Sequence, residues 1–262
     1  MGERIVNACH SRRVLVYWMG EAPAGPTNKE GIAMGQEVRM QIIARVRSDF
    51  STKFGIPRQS GLVEELESRV VFEPEFRDAN ALRGIEQFSH LWLIWQFSEN
   101  AGAGWSPTVR PPKLGGNARV GVFATRSPFR PNPIGLSSVR LAGVEQDPAL
   151  GPVLRVRGAD LMDGTPILDI KPYVPYTDAH TDAAQGYTAH TGEGMVQVDF
   201  PEALLARVPK EKRAALVGAL SQDPRPGYQS DPERVYGFTF AGMEIRFRVA
   251  EGKLTVTDVQ PL

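Results

Sequence analysis

A chain of 262 residues with 42% hydrophobic and 23% charged residues has ample material for a sizeable core, as one large domain or a main domain with a small partner. Thirty basic and thirty acidic residues cancel, so no global field draws the chain to nucleic acid, and any such role rests on a local patch. A lone cysteine, Cys9, excludes a disulfide framework and a thiolate metal site, and the four histidines (His10, His90, His180, His190) lack ligand spacing, so no metal is expected.

Residues 1–36 open with Arg12-Arg13 before a short apolar run at 14–20, an imitation of a leader that is too short to span a bilayer. Glycine, proline and asparagine follow, so a poorly structured extension is expected, with Met34 or Met40 as an alternative start and the cytoplasm as the location. Residues 37–47 alternate well enough for a first strand, with Val38, Met40, Ile42 and Ala44 toward one face. A turn-rich loop follows at 54–62, then a short strand at 65–72 and a helical turn over 76–85 that ends at Gly84. The run at 88–97 is nearly all apolar and aromatic, which predicts a strand buried on both faces.

The stretch 105–138 carries six prolines and four glycines, so no long helix crosses it. Between Glu99 and Glu145 there is no acidic residue, whereas Arg110, Lys113, Arg119, Arg126, Arg130 and Arg140 are all basic. A stiff backbone bearing one sign of charge suits the gripping of an anion; the plain alternative is a solvated loop without acids. Strands are expected at 119–124, 134–144, 153–157 and 167–173, with an Asp-Gly turn at Asp163-Gly164. The period of the last strand puts Asp169, Lys171 and Tyr173 on one face. Residues 179–194 read as a linker. The segment 195–262 reads as a small α+β domain with helices over 201–208 and 209–220 and a three-strand meander at 235–241, 244–250 and 253–259. Many short strands with little helix predict a mainly β protein, an antiparallel barrel or sandwich.

Several common machines are missing: no G-x-G-x-x-G after a strand, no Walker A loop, no G-x-S-x-G elbow. With no cysteine nucleophile or His/Cys cluster, covalent catalysis and zinc hydrolysis are disfavoured, leaving alignment of a reactive group that arrives on a cofactor.

The segments PRQSG (57–61), FSHLWLIWQF (88–97), RPPKLGGNARVGVFATRSPFRPNPIGLS (110–137) and DLMDGTPILDIKPYVP (160–175) resemble the TsaA/YaeB-like, TrmO-type family, and QDPRPGY (222–228) resembles a second motif of it. The resemblance implies a single-sheeted antiparallel β-barrel over 37–178 with a small C-terminal α+β domain, a homodimer, and S-adenosylmethionine bound without a Rossmann fold. It further implies methylation of N6 of N6-threonylcarbamoyladenosine beside the anticodon of tRNA. Position by position, the cofactor site falls on Gln59, Ser60, Gly61, Phe97, Ser98, Arg126, Leu136, Arg157, Gly158, Ala159 and Asp160. Ser60 departs from the proline frequent in the family, and the family varies at Ser98.

The residues fit that chemistry in kind. Arg126 can pair with a carboxylate, Gly61 and Gly158 permit close backbone approach, and Phe97 and Leu136 can wall an adenine. A surface ion pair for Arg126 and plain core roles for Phe97 and Leu136 are the competing readings. Asp169, Lys171 and Tyr173 are the candidate catalytic face, for accepting a proton and gripping a carboxylate or phosphate, against a structural Asp–Lys pair. Asp160 and Asp163 also suit turns. Arg110, Lys113, Arg119, Arg130 and Arg225 are the candidate RNA contacts, meeting a single-stranded anticodon loop. Alternatives are a non-catalytic S-adenosylmethionine- or RNA-binding module, or a methyltransferase with a different acceptor.

Overall fold

The computed structural model describes residues 38–100, 102–111, 114, 118–190, 195–225 and 231–262. Gln41–Leu262 form one compact unit; the extension before residue 37 and Lys113 lie outside the described residues.

The fold is mainly β. Strands β1 (Ala44–Arg47), β2 (Glu67–Phe72) and β3 (His90–Gln96) precede a small antiparallel ladder of β4 (Thr108–Val109) with β5 (Val120–Gly121) inside the cationic stretch. Then come the long β6 (Ile134–Asp147), β7 (Gly151–Arg157), β8 (Pro166–Pro172) and a helical turn α1 (Pro175–Asp178). Six strands pair antiparallel in the order β1-β2-β7-β6-β3-β8, and β8 returns to β1 with Ala44 opposite Ile167. Every strand of this ring has two neighbours, which leaves no open edge for a stray strand to join. Alternation then decides the faces: Ala44, Val46, Val70, Leu91, Leu93, Val139, Leu154, Val156 and Ile167 are all buried in one core. Full burial of each such side chain contributes about 1.5–3 kcal/mol.

The remaining elements are β9 (Gln197–Asp199), α2 (Glu202–Leu205), α3 (Arg213–Ser221), β10 (Tyr236–Phe240), β11 (Met243–Ala250) and β12 (Lys253–Pro261), the sheet running β10-β11-β12-β9. Their core is not self-contained. Phe50, Val63 and Leu66, from the connector between β1 and β2, are buried in it with Leu216, Leu220, Phe240 and Phe247. Gly55 lies under the Phe238 ring, where a Cβ would come within 2.4 Å of a ring carbon. The connector is tied down further by Lys212 Nζ to Asp49 at 2.7 Å and by Ala241 N–H donating to the Asp49 carbonyl at 2.8 Å. The loop 57–61 is therefore anchored at both ends, by the ring and by the C-terminal sheet.

Several expectations are corrected. The first strand is confined to Ala44–Arg47, because Val38 and Met40 are 81% and 50% exposed and have no core to face. The apolar run at 88–97 is buried on one face only: Leu91 and Leu93 point into the ring, while Trp92 and Ile94 alternate outward. At 119–124 only Val120–Gly121 is strand, and Val122–Ala124 is a 3-10 turn. The two helices shorten to four and nine residues, since Pro209 separates Val208 from a 3-10 turn, Lys210–Lys212, that leads into α3. The three-strand meander is present, but β9 adds a fourth strand parallel to β12.

Candidate active site

Three pieces of chain meet at one end of the ring. The first is the loop after β1, where Gly61 (φ +81°) donates its N–H to the Gly158 carbonyl at 2.9 Å. Gly158 is itself left-handed (φ +72°) and donates to Leu66 at 2.9 Å. A Cβ on Gly158 would sit 3.3 Å from the Gly61 backbone, so this back-to-back approach requires glycine. The second piece is the end of β3, where the Phe97 N–H donates to the Pro133 carbonyl at 2.9 Å and its ring meets Trp95 edge-on at 4.3 Å. The third is the segment after β7, which carries buried Ala159 and then Asp160.

These enclose a cleft of ≈ 290 Å³ whose walls include Ile56, Pro57, Trp95, Phe97, Ser98, Asp160 and Leu161. Such a volume lies at the lower end of the ~300–1,000 Å³ typical of small-molecule sites. Arg126 donates to the side-chain carbonyl of Gln59, whose own NH₂ donates to the Arg58 carbonyl at 2.6 Å. Burial pushes the Asp160 carboxyl above its ordinary range, opposed by the Ser137 hydroxyl, which donates to it at 2.6 Å, and by the charge of Arg126. A guanidinium and a half-buried carboxylate thus stand beside a mostly apolar cleft, which suits a zwitterionic ligand with a flat apolar portion.

Of the expected cofactor residues, Phe97, Ser98 and Asp160 line the cleft, while Arg126 bonded to Gln59, and Ser60, Gly61, Gly158 and Ala159, lie in the chain segments beside it. The side chains of Leu136 and Arg157 point elsewhere. Leu136 is 54% exposed on the outer face of β6, opposite Ile94, while its neighbour Ser137 points inward. Arg157 turns outward to Glu67, donating at 2.9 and 2.7 Å.

Asp169, Lys171 and Tyr173 share the outer face of the ring. Asp169 lies across from Ile94, two residues before Gln96 of the cleft lining. Lys171 Nζ is 2.9 Å from Asp169 Oδ2, with both side chains well exposed, and Tyr173 packs against Trp92 with ring centroids 5.4 Å apart. Of the cationic candidates, Arg110 and Arg119 are exposed, the latter donating to Thr108 Oγ1 at 3.0 Å. Arg130 is turned inward, donating to the Thr125 and Ser127 carbonyls at 3.0 and 3.3 Å. Arg225 is a strut as well: it makes two 2.8 Å bonds to Asp223, its side chain is 16% exposed, and its carbonyl accepts from Arg58 at 3.0 Å. The Asp223 hydrogen bonds raise its pKa further. Among the described residues no cluster of three or more His, Cys, Asp or Glu could hold a metal, and no helix is long and apolar enough to cross a membrane.

Sequence reasoning missed Trp95, Ser137 and Gly135. The signal available was a glycine inside a strand pattern, which marks close approach; here a Cβ on Gly135 would lie 2.2 Å from the Trp95 ring.

Comparison with known proteins gives the family. The tRNA-methyltransferase O N-terminal domain matches residues 45–179 and the TrmO C-terminal domain matches residues 193–262. The tRNA (adenine(37)-N6)-methyltransferase of Escherichia coli (strain K12) is 40% identical over 229 residues, 84% of this chain and 96% of that protein. The protein of the same name from Eikenella corrodens is 46% identical over 172 residues, 66% of this chain and 97% of that protein. A crystal structure of TrmO from P. aeruginosa superposes with a TM-score of 0.71 at 34% identity, covering 87% of this chain and 99% of that one. With both domains matched and a full-length relative of this identity, the chain belongs to the tRNA-methyltransferase O family.

Proposed function

We propose that this chain is an S-adenosylmethionine-dependent tRNA (adenine-N6)-methyltransferase that acts on N6 of N6-threonylcarbamoyladenosine next to the anticodon. The observation that carries this reading is the cleft, where the half-buried Asp160 carboxylate, under the charge of Arg126, lies beside the apolar wall of Ile56, Pro57, Trp95, Phe97 and Leu161. The residues present fit the cofactor's chemistry. Arg126 and Gln59 suit its carboxylate, Asp160 an ammonium or amine donor, and Phe97 the adenine; Gly61 and Gly158 keep the backbone close. Ser98 lines the cleft, with Ser60 and Ala159 in the segments beside it. When bound, S-adenosylmethionine supplies an electrophilic methyl group.

The chain's own work is to exclude water, align the acceptor nitrogen and hold its proton. Asp169, 2.9 Å from Lys171 Nζ, is the candidate acceptor of that proton, and Lys171 with Tyr173 is the candidate grip for the threonyl carboxylate. Arg110, Arg119 and Lys113 are the candidate phosphate contacts for the anticodon loop, whose unstacked bases avoid much of the several-kcal/mol opening of a duplex. In this reading the ring is a single-sheeted β-barrel, residues 37–178 are the catalytic domain, 179–194 a linker and 195–262 an α+β domain. The enzyme works as a metal-free homodimer in the cytoplasm.

The test is transfer of radiolabelled methyl from S-adenosylmethionine to tRNA with and without the threonylcarbamoyl group. Label appearing only on modified tRNA supports the reading. Label on unmodified tRNA changes the acceptor, and binding without transfer leaves a sensing or RNA-binding module.

A further inference from the structure

The carboxylate at the cleft does not stand alone. Asp160 Oδ1 accepts from the Ser137 hydroxyl at 2.6 Å, and Ser137 Oγ accepts in turn from the Trp95 indole N–H at 3.0 Å. Ser137 is 1% exposed, so neither bond is replaced by water. A hydroxyl has one proton to give; because the indole can only donate, the Trp95 bond occupies a lone pair on Ser137 and turns its single O–H toward Asp160. The same indole ring packs on Phe97 and lies over Gly135, where any side chain would collide with it. One tryptophan therefore sets both the apolar wall of the cleft and the polarity of the chain that ends on its carboxylate.

We infer that Trp95 and Ser137 are positioning residues for cofactor binding, forming a one-way relay from the Trp95 indole through Ser137 to Asp160 that presents an ionised carboxylate to the donor end of the methyl donor. This rests on the cleft being the S-adenosylmethionine site. Burial alone favours the acid form of Asp160; the relay opposes it, together with the charge of Arg126. The other ionisable groups around the cleft are Lys53 and Arg58 from the connector and Glu99 from the turn after β3. None of the three is hydrogen-bonded to Asp160 among the described contacts. Without the relay, binding a cationic donor must first remove a proton from a more reluctant carboxyl, so affinity falls most at low pH.

The test is calorimetric titration of full-length protein with S-adenosylhomocysteine, which keeps the amino group and adenine, across about pH 5 to 8 for wild type, Ser137→Ala and Trp95→Phe. A hydrogen bond to a charged group is worth enough that Ser137→Ala is expected to weaken binding about tenfold or more near pH 5, with the deficit narrowing as pH rises. Trp95→Phe keeps an aromatic ring beside Phe97 and removes the indole donor, so it shows the same pH-dependent pattern at smaller amplitude. Its milder change keeps the relay testable should Ser137→Ala fold poorly. Variants that bind like wild type, or that lose the same factor at every pH, overturn the relay while leaving the cofactor site intact. Wild-type protein that takes up no ligand overturns the site itself, and the relay with it.

Discussion

Replacing Gly158 with alanine probes the tightest backbone approach in the site, and Gly61→Ala is its built-in control. Both glycines are left-handed, at φ +72° and +81°, so an alanine at either position bears the same conformational penalty of about 1–2 kcal/mol. They differ in space. Nothing lies within 4 Å of a Cβ at Gly61, whereas one at Gly158 meets the Gly61 Cα and N at 3.3 Å. Those are backbone atoms that cannot swing aside, so Gly158→Ala adds a packing strain of about 1–3 kcal/mol. For a unit of this size each kcal/mol lowers the melting temperature by about 2–4 °C. Thermal unfolding of both variants should therefore place Gly158→Ala lower than Gly61→Ala by several degrees. Calorimetry should show a larger loss of cofactor affinity for Gly158→Ala, because the Gly61 N–H bond to the Gly158 carbonyl is what holds the loop bearing Gln59. Equal melting temperatures would refute the close-approach reasoning.

The remaining predictions concern charge. Because burial raises the folded-state pKa of Asp160, its protonation stabilises the fold fully below the ordinary 3.8, and that contribution is lost as pH rises through the raised value. Cofactor-free Asp160→Asn should therefore melt above wild type at about pH 8, with the gap closing toward about pH 4; a pH-independent gap would contradict this. Asp169→Asn and Lys171→Met break an exposed ion pair, so stability should change by less than about 1 kcal/mol while methyl transfer falls by about 100-fold or more. Parallel losses of stability and rate would return the pair to a structural role. The salt dependence of tRNA affinity should flatten by about one unit of slope for Arg110→Ala and for Arg119→Ala. Arg130→Ala and Arg225→Ala should instead lower the melting temperature, since both are internal struts.

What could be read from the sequence was set by what is local. Strands β6 to β8 and β10 to β12 and the Asp-Gly turn each follow from a few neighbouring residues, whereas Gly61 and Gly158 were reached through the family motifs. Features that depend on register were not legible. An all-apolar run such as 88–97 gives no hint that a ring leaves its outer face to solvent, and so Trp92 and Ile94 were misplaced inside. The relay needs Trp95 opposite Gly135 and Leu93 opposite Ser137, a pairing that no stretch of sequence specifies. Arg157 was nearer to hand: alternation along 153–157 puts it on the same face as Arg155, away from the core. The parallel β9 is three residues long, too short to carry a pattern of its own.

Equilibrium dialysis of purified protein against radiolabelled S-adenosylmethionine, with wild type beside Arg126→Ala and Asp160→Asn, addresses the occupancy of the cleft most directly. Saturable uptake of one molecule per chain by wild type, weakened by at least about tenfold in each variant, is the result expected. No uptake by folded wild-type protein, with tRNA present or absent, would contradict the assignment of the cleft as the methyl-donor site.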